Sequence, residues 1–206
     1  MSGYENAIEL TNVSKHYPGF ALDRISLSLP KGTILGLVGE NGAGKSTTVK
    51  LIMNAIPRDE GTVTVLGEDN TGEAFRTVKE EIGVVLDEAY FPEVLTAKNV
   101  GTVMKHTYRR WEPETYQRFL KALDLPENKP FKDFSRGMKM KLAISVALSH
   151  QPKLLILDEA TSGLDPMVRD DMLEIFNDFT RDESHSILIS SHIVSDLEKI
   201  CDYIAF

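Results

Sequence analysis

The sequence predicts an α/β fold, and three observations carry that reading. Residues 154–157 (LLIL) and 187–189 (ILI) are short continuous apolar runs, as expected for parallel strands covered on both faces. A helix-compatible segment at 168–179 separates them, which is the order of a β-α-β unit. The middle of the chain reads instead as successive helices, so a mostly helical insertion interrupts the alternating pattern.

Each element has a local reason. Beta-like segments dominate the first third, at 8–13, 25–29, 33–38 and 62–66, with Asp59, Glu60 and Gly61 supplying turn chemistry before the last. A helix is expected from Lys45 to about Asn54, and 81–86 (EIGVVL) reads as another strand. Thr96 is placed to cap a helix over 97–108. Pro113 suits the first turn of a helix through about Leu123, and 137–149 is a third helix. The chain ends at Phe206, directly after what reads as the start of a further strand.

Composition narrows the class. The 206 residues are 42% hydrophobic and 26% charged, values of an ordinary globular domain with a substantial core. No apolar run approaches the ~20 residues that cross a bilayer. The opening MSGYENAIEL lacks a basic stretch followed by an apolar one, so no secretory signal is read there. Cys201 is the single cysteine, which excludes a disulfide framework; together these features point to the cytosol. A net charge of −8 argues against a nucleic-acid partner, since phosphate backbones select clustered Lys and Arg, and the one basic cluster, 132–141, is short.

Residues 39–46 read GENGAGKS and match G-x-x-x-x-G-K-[ST], between an apolar strand and a helix-compatible segment. The glycines permit backbone angles that turn N–H groups inward around phosphates, and the helix beginning near Lys45 adds its positive end. Nucleotide contacts are therefore expected from Gly39, Asn41, Gly42, Ala43, Gly44, Lys45, Ser46 and Thr47, with Lys45 on the β and γ phosphates and Ser46 on Mg²⁺. The bland alternative is a Gly-rich strand-to-helix turn that binds nothing. Residues 154–159 (LLILDE) place Asp158 where a buried strand emerges, which suits a carboxylate holding Mg²⁺ through water. Glu159 follows and is placed to act as general base toward the attacking water. Alone, such a pair is more often a solvated loop start; beside a phosphate loop the balance reverses. The fold expected is thus a P-loop NTPase core with an antiparallel β portion and an inserted helical subdomain.

With these motifs in order the sequence resembles the nucleotide-binding subunits of ABC transporters, over nearly the whole chain. Residues 134–138 (FSRGM) stand where that family has its LSGGQ signature, at a helix start. Ser162, Gly163, Leu164 and Asp165 look like the D-loop, His192 in ISSH matches the switch histidine, and Tyr17 matches the aromatic that stacks on adenine. The resemblance implies nucleotide contacts from Tyr17, Ser135, Arg136, Gly137 and Asp165, and catalytic roles for Glu159 and His192. The residue-level alternatives stay open: Ser135 as only a helix cap, His192 as a structural histidine, Tyr17 as a strand aromatic.

Two motifs depart from the family pattern. Arg136 and Met138 stand where glycine and glutamine are common, a version that resembles exporter-type bacterial subunits, and Asp87 stands where a Mg²⁺-touching glutamine is usual. Asp87 is expected at Mg²⁺ through a water.

The domain expected has a core lobe at 1–87 and 152–206 and a helical subdomain at 88–151, with the family's last strands missing. The resemblance implies an ATPase binding ATP and Mg²⁺, pairing head to tail with a second such subunit, identical or related. It would couple export to ATP hydrolysis at the inner face of the cell membrane through a permease. Tyr90, Phe91 and Pro92 are placed either to receive that permease or to brace the helix at Ala97. Two other functions remain: an ABC ATPase of a cytosolic assembly or the ribosome, and a P-loop kinase.

Overall fold

The computed structural model describes residues 5–87, 91–162 and 164–206. The chain opens with a long hairpin, β1 (Asn6–Tyr17) and β2 (Phe20–Pro30), followed by β3 (Ile34–Val38) and α1 (Lys45–Ile52). Next come β4 (Glu60–Val65), β5 (Glu68–Asp69), the short helix α2 (Phe75–Val78) and β6 (Ile82–Val85). Three helices follow, α3 (Ala97–Thr107), α4 (Pro113–Ala122) and α5 (Arg136–Leu148). The last part alternates as β7 (Leu154–Asp158), α6 (Pro166–Phe179), β8 (Ser186–Ser191), α7 (Val194–Ile200) and β9 (Tyr203–Ala205). The strands sort into an antiparallel sheet ordered β2-β1-β4-β5 and a parallel sheet ordered β6-β7-β8-β3-β9.

The parallel sheet divides two apolar cores, and its sequence shows how. Leu154 and Ile156 of β7 and Leu188 of β8 point into the core shared with the antiparallel sheet and α1. Leu155 and Leu157, with Ile187 and Ile189, point into the core shared with the helices. Successive side chains leave a strand on opposite faces, so a strand covered on both sides needs apolar residues at every position. That is the physical content of the LLIL and ILI runs.

Strand limits moved where the hydrophobic alternation breaks. β1 and β2 run well beyond the expected 8–13 and 25–29, through the polar SKHY segment. Register shifts between Leu10 and Val13 and between Val13 and Lys15 interrupt the pattern, with Asn12 at φ 50°. Such bulges twist a strand without ending it, and they erase its period of two. The segments α2, α7 and β5 were not anticipated; each is too short to show a periodicity.

The helical excursion is tied down by local chemistry that the sequence announced. Thr96 caps α3: its Oγ1 accepts from the Asn99 N–H at 3.2 Å, while Asn99 Oδ1 accepts from the Thr96 N–H at 3.2 Å. Pro113 occupies the first turn of α4. The buried Tyr116 hydroxyl donates to Ala97 O at 2.8 Å, joining α4 to α3. A Cβ at Gly101 would lie 2.5 Å from the Tyr116 ring, so only glycine admits this contact. α5 belongs to two neighbourhoods, touching α3 and α4 and also β6. The boundary expected at 151/152 therefore follows a helix that shares one core with β6, β7 and β8.

His150, at the end of this excursion, is fully buried and stacks on Tyr108 with centroids 4.0 Å apart and planes 2° from parallel. Its Nδ1 lies 3.2 Å from Glu80 O, a carbonyl that can only accept, so Nδ1 carries the proton; Nε2 has no hydrogen-bond partner among the described residues. Burial holds its pKa below the ordinary histidine value of 6.5; Glu80 opposes that shift and Arg110 reinforces it. An unfolded chain takes up this proton near 6.5, while the fold resists it. The stability from neutral His150 is therefore fully present above that pH and is lost as pH falls through the lowered folded value. Chemical denaturation at pH 7.5 and 5.5 is expected to show a smaller acid loss of stability in His150→Phe than in the wild type. An equal loss in both would place the acid sensitivity elsewhere.

Candidate functional site

The carboxyl ends of β3, β6, β7 and β8 converge on one cleft. β3 delivers the chain into residues 39–46, and Gly44 caps α1 at φ 104°, a left-handed angle that glycine adopts without cost. A Cβ there would also lie 2.6 Å from the Leu22 side chain and 2.9 Å from Phe20. The loop thus needs glycine for its backbone and for its packing. Asn41, Gly42, Gly44, Lys45, Ser46 and Thr47 line a cavity of about 260 Å³ together with Phe20, Asp87 and Glu159.

Lys45 is buried and folds back over its own loop. Its Nζ donates to Gly39 O at 2.6 Å and Glu40 O at 3.2 Å, and lies 3.1 Å from Glu159 Oε1. Glu159 leaves β7 at φ 53°, where a residue with a side chain is uncommon and strained. Its N–H donates to Ser190 O and Ser190 Oγ, each at 3.1 Å, which holds that conformation against β8. The Ser190 hydroxyl in turn donates to Asp158 Oδ1 at 2.6 Å. His192 Nδ1 donates to Glu159 Oε2 at 2.7 Å. Glu159 Oε1, by contrast, is buried with no hydrogen bond among the described residues; only the ion pair with Lys45 compensates it. The result is a buried cation and a buried carboxylate poised over a loop of inward-facing glycines, an arrangement that can bind phosphates and take a proton from water.

The donor set also bears on Mg²⁺. Ser46 and Asp87 present hydroxyl and carboxylate oxygen to the cavity. Among the described residues no group of three or more His, Cys, Asp or Glu is arranged to hold a metal by itself. A few oxygen donors beside a phosphate loop fit an ion that keeps most of its shell from phosphate and water, as Mg²⁺ does.

The family model described as ABC transporter matches residues 22–162. The chain belongs to the ABC transporter family, as one of its ATP-binding proteins. ABC transporter ATP-binding protein YtrB of Bacillus subtilis is 32% identical, over 97% of this chain and 68% of its own length. Bacitracin transport ATP-binding protein BcrA of Enterococcus faecalis is 33% identical, over 97% of this chain and 66% of its own. For lantibiotic transport ATP-binding protein SrtF of Streptococcus pyogenes the values are 34%, 97% and 86%. The chain thus spans about two thirds of YtrB and BcrA. The solved structure titled "Structure of ATP binding subunit of ABC transporter" superposes with a TM-score of 0.85 at 28% identity, over 96% of this chain and 85% of that one. The protein is an ATPase with the P-loop fold that the sequence predicted.

Not every expected contact of this ABC ATPase meets in the cleft. The residues lining the cavity include Gly42, Gly44, Lys45, Ser46, Thr47, Asn41, Asp87 and Glu159. Tyr17 is outside that lining; it is 44% exposed with Lys15 Nζ 5.4 Å from its ring centre. Its cross-strand partner Phe20 lines the cavity instead. The two aromatics are three residues apart, paired directly across the hairpin. Asp158 is buried, bonded to Ser190, and is not among the lining residues.

Ser135 and Asp165 both act as helix caps, accepting from the N–H groups of Met138 and Val168 at 3.2 Å. Both residues are exposed, outside the lining of their own chain's cavity. Gly137 lies beside Leu164 and Val168, so the start of α5 abuts the start of α6. Gly163 and Tyr90 lie outside the described residues. Phe91 is half-buried, edge-on to Phe131 with centroids 5.5 Å apart, and so packs within its own chain.

Thr161, Arg169 and Asp196 form a separate polar contact that ties the loop after β7 to α6 and α7. Asp196 is buried, accepts from Thr161 Oγ1 at 3.2 Å and lies 3.4 Å from Arg169 Nε, while Arg169 Nη2 donates to Leu164 O at 3.1 Å. Sequence reasoning missed these and Ser190. Ser190 was in view as part of ISSH, but a serine beside a histidine signals nothing until β8 lies against β7.

Proposed function

We propose that this ATPase is the motor subunit of an exporter, working as a head-to-tail pair with Mg²⁺ and a membrane permease at the cytoplasmic face. The observation that carries the reading is Glu159, held by His192 on one oxygen and, among the described residues, without a hydrogen bond on the other, which lies 3.1 Å from Lys45. A triphosphate offers Lys45 stronger partners than the Gly39 and Glu40 carbonyls. Its ammonium then shifts to the phosphates, and Glu159 Oε1 is freed to accept a proton from water. His192 keeps the carboxylate oriented during that transfer. Ser46, with Asp158 and Asp87 through water, would hold Mg²⁺, which offsets charge on the phosphate oxygens.

Export is supported by what similar proteins are named for: bacitracin transport, lantibiotic transport, Nod factor export and linearmycin resistance. A permease partner is consistent with the described residues, among which no helix is long and apolar enough to cross a membrane.

Pairing is the testable part. Ser135 is an exposed helix cap outside its own chain's cavity, and free N–H groups at such a helix start suit an anion held by another subunit. Ser135→Arg is expected to spare ATP binding to the monomer and to abolish ATP-driven dimerisation. Sedimentation in a Glu159→Gln background, with and without Ser135→Arg, reads this directly. Dimers persisting in both would remove Ser135 from the interface and, with it, the head-to-tail arrangement.

A further inference from the structure

Two of the three residues at which this sequence departs from the family pattern touch each other. Arg136 Nη2 lies 2.8 Å from Asp87 Oδ1, across 49 residues of chain. Asp87 lines the cavity that holds Lys45, Ser46 and Glu159. Arg136 is the first residue of α5, reaching back to the end of β6.

We infer that Arg136 and Asp87 form one electrostatic unit, in which Arg136 screens the Asp87 carboxylate from the phosphates bound by the same chain. The inference rests on the reading of this cavity as the nucleotide site. The charges make the need plain. Among the described residues two carboxylates, Asp87 and Glu159, line the cavity with one ammonium, Lys45. A nucleoside triphosphate brings several more negative charges to it. An unscreened Asp87 therefore opposes binding, whereas a guanidinium at hydrogen-bond distance, charged at every accessible pH, offsets it. The pair does little for the fold: the side chains are 54% and 53% exposed, and ion pairs that open to water add little stability. Its effect is on what the cavity accepts. Arg136 is thus a positioning and screening residue for its own chain's site, distinct from any contact it makes with a second subunit.

A double-mutant cycle separates this from other roles. Arg136→Gln removes the charge and keeps helix propensity; Asp87→Asn removes the charge and keeps the shape. Arg136→Gln is expected to raise KM for MgATP about two- to fivefold, the range for an exposed ion pair, with kcat changed less. Asp87→Asn also alters the surroundings of Mg²⁺, so its own KM is the reference against which the double variant is read. The double variant should match Asp87→Asn, because no carboxylate remains to be screened. Arg136→Lys should keep most of the wild-type affinity, and the Arg136→Gln penalty should shrink as salt is raised. An Arg136→Gln penalty of the same size with and without Asp87→Asn would overturn the inference, as would a loss confined to kcat. Lys45→Ala serves as the reference: if it leaves ATP affinity intact, the cavity assignment fails; if it removes affinity while the cycle is additive, the Arg136–Asp87 unit alone fails.

Discussion

A Glu159→Gln variant is expected to bind ATP and to turn it over about 10²- to 10⁴-fold more slowly, the range for losing a general base. The substitution keeps the shape and the His192 contact, since a glutamine carbonyl still accepts from Nδ1. It removes the acceptor that takes a proton from water at Oε1. It also removes the ion pair that holds Lys45 at 3.1 Å, so the ammonium is freer to meet phosphate. Binding is therefore expected to be unchanged or tighter, and the ATP-bound state longer-lived. Equilibrium titration with ATP and single-turnover hydrolysis check the two halves separately. Wild-type turnover in this variant would mean that Glu159 is not the base.

Lys45→Ala is expected to act earlier, on binding and on the fold itself. Charge-assisted hydrogen bonds contribute about 1.5–3 kcal/mol each, so ATP affinity should fall roughly 10- to 100-fold. The same change strips a buried carboxylate of its partner: the Lys45 and Glu159 side chains are only 7% and 12% exposed. Breaking a buried pair from one side costs about 3–5 kcal/mol. The lysine contacts cavity that water can enter, so the lower end is expected. Adding Glu159→Gln should restore much of the stability without restoring ATP affinity. Denaturation and ATP titration of the single and double variants distinguish the two effects. Unchanged affinity in Lys45→Ala would contradict the phosphate-loop assignment.

The parts of this site that were legible in the sequence are those fixed by short-range rules. The phosphate loop needs glycine at set positions, the strand end needs a carboxylate after an apolar run, and the caps at Thr96 and Ser135 need a small oxygen-bearing side chain before a helix. Each of these requirements is local, and each was met. What escaped depends on pairing across the chain. Ser190 matters because β8 lies beside β7, and Phe20 lines the cavity because the β1–β2 hairpin folds it back toward the phosphate loop. Asp87 and Arg136 each read as an isolated departure until the fold put them 2.8 Å apart. The Asp196–Arg169 contact joins two segments that no motif links.

The Asp87–Arg136 ion pair closes a neck between β6 and α5. The chain leaves the parallel sheet just after Val85 and re-enters α5 at Arg136, and an ion pair spans the two ends. An excursion whose ends are adjacent adds little closure entropy when it lengthens, because that cost grows only slowly with loop length. A longer α3–α4 segment would thus cost little in closure entropy, provided that Val100, Tyr116 and Leu120 keep their places in the core shared with β6, β7 and β8. The motor can keep its chemistry while the surface built on this neck diversifies.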